Sequence, residues 1–156
     1  MGWQDHHLHE FLVVDGRSGT VERIGIPDRE VPEDRSCTAG WTVQVTDYFT
    51  FSASPALYLY DFGDDWQHVL MYEGTSSAEE SATYPRCISG ARRCPPEDCG
   101  GAHGYAELLT AIADPDNPDY AELLAWLGGG FDPMAFDAAA VTFDDPQKRW
   151  KIAFEK

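Results

Sequence analysis

The stretch that most restricts how this chain can fold runs from Cys87 to Tyr105 and reads CISGARRCPPEDCGGAHGY. It holds three of the four cysteines, spaced C-x6-C-x4-C, with a histidine four residues past the last. Pro95 and Pro96 fix the backbone between two thiols. Gly100 and Gly101 then permit positive φ or close approach. A segment so rigid and so rich in thiols is either a metal site or a tight structural corner. A structural zinc takes four N or S ligands in a tetrahedron. Cys87, Cys94 and Cys99 offer three, and His103 or His68 would supply the fourth. The spacing is not the paired C-x2-C knuckle, so the thiols can equally be buried as small hydrophobes. The Ser89-Gly90 turn folds the chain back and predicts that Cys87 and Cys94 lie close together. Cys37 lies in a polar stretch, expected to be a loop, and is left out of the set.

A second constellation is YDFGDDWQH, with Asp61, Asp64, Asp65 and His68. Crowded carboxylates can hold a hard cation or shift one another's pKa. Asp and Gly are also the ordinary residues of a hairpin turn, with Gly63 expected to supply the unusual dihedral. His68 shares strand parity with Trp66 and Leu70 and is expected to face inward. Near the start stand His6, His7 and His9 beside Glu10, and alternation places His7 and His9 on one face. Such a pair can bind a transition metal, and the competing reading is exposed imidazoles near a terminus. Glu97-Asp98 reads either as a general base or as a carboxylate pair at a helix start.

The net charge of −16, from 27 acidic and 11 basic residues, repels phosphate backbones and disfavours direct nucleic-acid binding. No apolar run approaches the ~20 residues of a membrane helix, and the first residues show no basic and apolar leader. Four cysteines without a secretion signal point to a reducing compartment, the cytoplasm. The chain lacks G-x-S-x-G, P-loop, H-E-x-x-H and Rossmann patterns. At 156 residues it is read as one domain.

The periodicities predict an α+β fold: a mainly antiparallel sheet followed by two or three C-terminal helices packed on one face. Strands are expected at Leu8 to Val14, Thr20 to Ile26, Ala56 to Tyr60, Trp66 to Tyr72 and Tyr84 to Ile88, and a loop over Pro27 to Gly40. Trp41 to Phe51 is ambiguous; the alternation of Trp41, Val43 and Val45 favours a strand over a short helix. Tyr105, Leu108, Leu109 and Ile112 fall on one helical face, as do Tyr120, Leu123, Leu124 and Leu127. The leucines and Ile112 are expected to be buried. Asn117-Pro118 reads as the N-cap and first residue of the second helix. Gly128 to Gly130 would end it, and Asp144 to Lys156 suits a final helix.

YLYDFGDDWQHVLMYEG, YPRCISGARRCPPEDCGGAHGYAELLTAIADP, LLAWLGGGFDPMAF and HLHEF together resemble the plasmid open-reading-frame-three-like family, whose members are often labelled insertion-element passenger TnpR proteins. The likeness runs from Trp3 to about Val141 and implies an α+β fold and an association with plasmids or mobile elements. It implies no particular reaction. The family pattern includes the three cysteines but no histidine matching His103, which leaves His68 as the better fourth ligand. A resolvase, as the TnpR label suggests, would require a nucleophilic serine among arginines and a basic DNA-binding module, which these residues do not provide. The resemblance also implies that relatives carry a strand and a helix before the segment matching Trp3. A start codon upstream, or a missing edge strand and covering helix, would follow. In the second case Trp3, Phe11 and Val13 would be left as exposed surface, with self-association or lowered stability.

Two function readings follow. The leading one is a non-catalytic binding or accessory protein of a plasmid or mobile element, with an unknown protein or small-molecule partner and room for a structural zinc. The rival is a metal-dependent enzyme using Asp61, Asp64 and His68 beside the cysteine segment.

Overall fold

A computed structural model describes residues 2–15, 18–27, 37–49, 55–148 and 151. The chain divides into two compact units: Met1–His6 with Glu79–Lys156, and His7–Ala78. The architecture is α+β, with the main helices C-terminal to a five-stranded sheet.

The His7–Ala78 unit holds the sheet. Its strands are β1 (His9–Val14), β2 (Val21–Gly25), β3 (Cys37–Ala39), β4 (Ala56–Tyr60) and β5 (Trp66–Leu70), in spatial order β3-β2-β1-β4-β5. The β1–β2, β1–β4 and β4–β5 pairs are antiparallel and β2–β3 is parallel. The turn after β1 is set by Asp15, which accepts at its side chain from Ser18 N and at its carbonyl from Gly19 N. Side chains alternate across the strands. Phe11, Tyr58 and His68 are directly opposite one another on three strands. Val13, Ile24 and Ala56 form the buried core, with Phe11, Val43, Tyr48, Phe49 and Leu70 packed against it. Val13 is only 3 % exposed. This corrects its place among the surface residues expected from a missing N-terminal segment, since Val43, Tyr48 and Phe49 pack against the cluster it belongs to. Phe11 and Trp3 are half-buried rather than exposed.

The loop expected over Pro27 to Gly40 is corrected at its end, where Cys37–Ala39 pairs with Arg23, Ile24 and Gly25; residues 28–36 lie outside the described residues. Cys37 is therefore a buried strand residue rather than part of a polar loop. The strand favoured for Trp41 to Phe51 is also corrected over residues 41–49; residues 50 and 51 lie outside the described residues. Gly40–Thr42 is a 3-10 turn and α1 spans Val45–Tyr48. The determinant is a capping box that alternation does not register. Gln44 and Asp47 satisfy each other's backbone N–H groups, with Gln44 N donating to Asp47 Oδ2 at 3.1 Å. Tyr48 Oη then donates to Glu22 Oε2 at 3.1 Å and ties α1 to β2.

The second unit holds α2 (Gly101–Ala113) and α3 (Tyr120–Trp126), which contact each other. Leu108 is buried; Leu109, Ile112, Leu123, Leu124 and Leu127 are half-buried. The predicted faces are right, and the burial is shallower than expected. α3 begins at its N-cap Asp119, two residues beyond the expected cap, because Asn117 instead closes a turn: its side chain accepts from Asp119 N at 2.9 Å. Gly128 and Gly129, both at positive φ, follow the helix end as expected. The strand expected over Tyr84 to Ile88 is absent. Pro85 has no N–H to give a ladder, and Arg86 reaches back in a two-pronged pair to Glu79 at 2.9 and 2.6 Å. The final helix expected from Asp144 falls largely outside the described residues; residues 146–148 are helical, capped by Asp145, which accepts from Gln147 N and Lys148 N.

Candidate functional site

The connection between β4 and β5 is where the sheet unit concentrates its chemistry. The Tyr60–Trp66 pairing leaves residues 61–65 as the turn. Asp61 organises it. Its Oδ1 accepts from Gly63 N at 3.0 Å and from Asp64 N at 3.3 Å, and its carbonyl accepts from Asp65 N at 2.7 Å. The left-handed conformations are carried by Asp61 (φ 55°) and Asp65 (φ 52°), not by Gly63, which corrects the sequence expectation. Aspartate tolerates this region because its side chain bonds the nearby backbone. Asp65 Oδ2 accepts from Gln67 Nε2 at 2.9 Å. Asp64 is half-buried.

Asp61 is itself buried, and its second oxygen looks toward a histidine: His7 Nδ1 lies 3.6 Å from Asp61 Oδ2. The backbone holds the two segments together, since Asp61 N donates to Leu8 O at 3.0 Å. The His7 ring stands edge-on to Tyr60, 5.9 Å between centroids at 86°. Beyond this corner an imidazole–aromatic row runs across the sheet. His9 lies 5.7 Å from the Tyr58 ring, Phe11 4.8 Å from it, and His68 5.7 Å from it on the other side. Gln67 and Val69 are exposed while Trp66, His68 and Leu70 are half-buried, so the predicted parity holds. Burial pushes the pKa of His68 below its ordinary value, against a backbone hydrogen bond with Tyr58 that works the other way.

The cysteine segment belongs to the other unit, and there it is a corner held by backbone and rings. Trp3 Nε1 donates to Pro95 O at 2.9 Å, and Gln4 N donates to Glu97 Oε1 at 2.6 Å. Glu97 is thus committed to Gln4 rather than to the start of α2, whose first turn contains no acidic residue. Cys94 is raised in pKa by burial, partly offset by the N–H groups of Gly2 and Trp3 directed at its sulfur. Cys87 Sγ donates to Ser89 O at 3.5 Å. Gly100 and Gly101 both take positive φ, as their sequence position implied. At Gly104 a Cβ would stand 2.1 Å from the backbone oxygen of Cys99, so that position requires glycine; at Gly90 it would stand 2.4 Å from the end of the exposed Phe136 ring, which would have to shift. Arg93 lies over the Phe131 ring at 4.7 Å and donates its backbone N–H to Pro133 O. His103 is exposed and meets Glu107 at 3.3 Å, one turn along α2. Among the described residues of this unit, no thiol joins two other His, Cys, Asp or Glu ligand atoms within 4.8 Å.

The structure therefore joins Asp61 to His7, a partner that sequence reasoning considered only with His9. The signal was available: the register of β1 against β4 places His9 opposite Tyr60, which brings His7 to the turn. Glu10 was also passed over as a mere neighbour of the histidines. It is buried and paired with Arg23, whose Nε and Nη2 both donate to Glu10 Oε2, at 2.8 and 2.7 Å.

The chain belongs to the plasmid pRiA4b ORF-3-like family, which it matches over residues 1–140. This bears out the resemblance carried by the turn, the cysteine segment and the α3 region. It is 37 % identical over 152 residues to an uncharacterized protein, y4hQ, of Sinorhizobium fredii (strain NBRC 101917 / NGR234), covering 95 % of this chain and 70 % of that protein. The crystal structure of a protein of unknown function, MM3350, from Methanosarcina mazei Go1 is also similar. The TM-score is 0.81 at 38 % identity, covering 92 % of this chain and 77 % of that one.

Proposed function

We propose that this protein is a non-catalytic binding or accessory protein of a plasmid or mobile element. The observation that carries the reading is the employment of the polar groups the sequence nominated for chemistry. One Asp61 oxygen holds two turn N–H groups, Glu97 holds Gln4 N, and Asp65 holds Gln67. Burial favours the protonated, unreactive form of Cys94. A carboxylate tied into its own turn builds a rigid surface; it is poorly placed to move a proton to and from a substrate. The family match supports the plasmid association. The partner is a protein or small molecule rather than nucleic acid, a choice supported by the charge of −16. Cytoplasmic residence is supported by the four free thiols. No helix of the described residues is long and apolar enough to cross a membrane.

The test is a panel of phosphoester, ester and peptide substrates offered to the metal-supplemented protein, alongside thermal shifts with candidate ligands. Saturable stabilisation without turnover is expected. Sustained turnover that disappears with Asp64→Asn or His68→Gln would establish the metal-dependent enzyme instead.

A further inference from the structure

The turn at residues 61–65 and the chain just before β1 place a nitrogen and an oxygen donor side by side. We propose that His7 Nδ1 and Asp61 Oδ2, with water filling the remaining positions, hold a divalent transition-metal ion of the zinc class, which rests on the binding reading above and names one ligand for it. Their 3.6 Å separation is longer than an ordinary N–H···O hydrogen bond. It is close to the spacing of two donors sharing one ion, since a tetrahedral zinc at its usual bond lengths sets neighbouring N and O ligands about 3.4 Å apart. A mixed imidazole–carboxylate pair suits zinc and its first-row neighbours.

The support around the pair is of the kind that fixes metal ligands. Asp61 Oδ1 is held by Gly63 N and Asp64 N, which leaves Oδ2 aimed at His7. The bond from Asp61 N to Leu8 O locks the two segments together, and the edge contact with Tyr60 orients the ring. Asp61 is buried while the His7 side chain is 31 % exposed, so an ion would be gripped on one side and open to water on the other. The strongly acidic chain favours cation approach.

The experiment uses the full chain, freed of metal by chelator and titrated with Co2+, whose visible absorption reports its ligand field, followed by displacement with Zn2+. A saturable Co2+ spectrum displaced by Zn2+ is expected. His7→Gln and Asp61→Asn should each weaken binding by at least ~10-fold, while His103→Gln and Cys94→Ser leave it unchanged. Asparagine keeps an acceptor for the turn N–H groups and tolerates positive φ, so Asp61→Asn preserves the turn. If its circular dichroism nevertheless changes, His7→Gln decides. Absence of a saturable spectrum, or its loss with Cys94→Ser or His103→Gln while His7→Gln binds normally, would overturn the site. Neither result touches the non-catalytic reading, which fails only if the loaded protein turns over a substrate.

Discussion

His68 is half-buried against Tyr58, and its imidazole resists protonation because burial penalises the charge. The folded value lies below that of an unfolded histidine, about 6.5. Unfolding therefore takes up a proton as the pH falls. The His68 contribution is whole above about pH 6.5 and is lost as the pH drops through the lower folded value. Melting curves of chelator-treated protein from about pH 7.5 to about pH 5 should show stability falling, with a shallower fall in His68→Gln. An equal slope in the two proteins would contradict the assignment. Cys94 shifts in the opposite direction for the same reason, since its charged form is the thiolate. Alkylation at Cys94, followed by peptide mass, should be slow near neutral pH and still accelerating above about pH 8.5. A rate that levels off below that value would show the thiolate to be favoured.

At the scale of elements, periodicity revealed what packing repeats and missed what single side chains impose. β4, β5 and both main helices were legible because alternation and helical spacing recur along them, and β1 and β2 as short β-compatible runs on either side of the Asp15 to Gly19 turn. β3 was not, because three residues pairing in parallel with β2 carry no period of their own. Nor was α1, fixed by one Gln44–Asp47 exchange. The site was half legible. The turn residues were found from composition, but His7 required the strand register, and the share of φ among Asp61, Gly63 and Asp65 depended on bonds no spacing shows. Within α2, Leu108 is buried and Leu109 only half-buried. Leu108→Ala should cost ~2–5 kcal/mol in chemical denaturation and Leu109→Ala distinctly less. Equal losses would mean that Leu109 is packed as fully as Leu108. Gly104→Ala drives a methyl into Cys99 O and should destabilise by at least ~1–3 kcal/mol, the range for forced overpacking. A wild-type melting temperature for Gly104→Ala would show that the corner yields.

For the molecule as a whole, 27 acidic residues against 11 basic ones make self-repulsion a standing cost of compactness. The melting temperature should rise between about 0.05 and 0.5 M sodium chloride as the charges are screened; a flat or falling response would mean that ion pairs such as Glu10–Arg23 outweigh the repulsion. On the proposed reading, the same acidic field would disfavour nucleic acid and draw cations toward the carboxylate turn. The central claim is that the 61–65 turn and its histidine, not the cysteine segment, form the binding element. The most direct measurement is a zinc titration of isotope-labelled protein followed by amide chemical shifts. The account predicts saturable shifts confined to residues 7–10 and 60–66. Shifts concentrated between Cys87 and His103, with the turn unmoved, would contradict it.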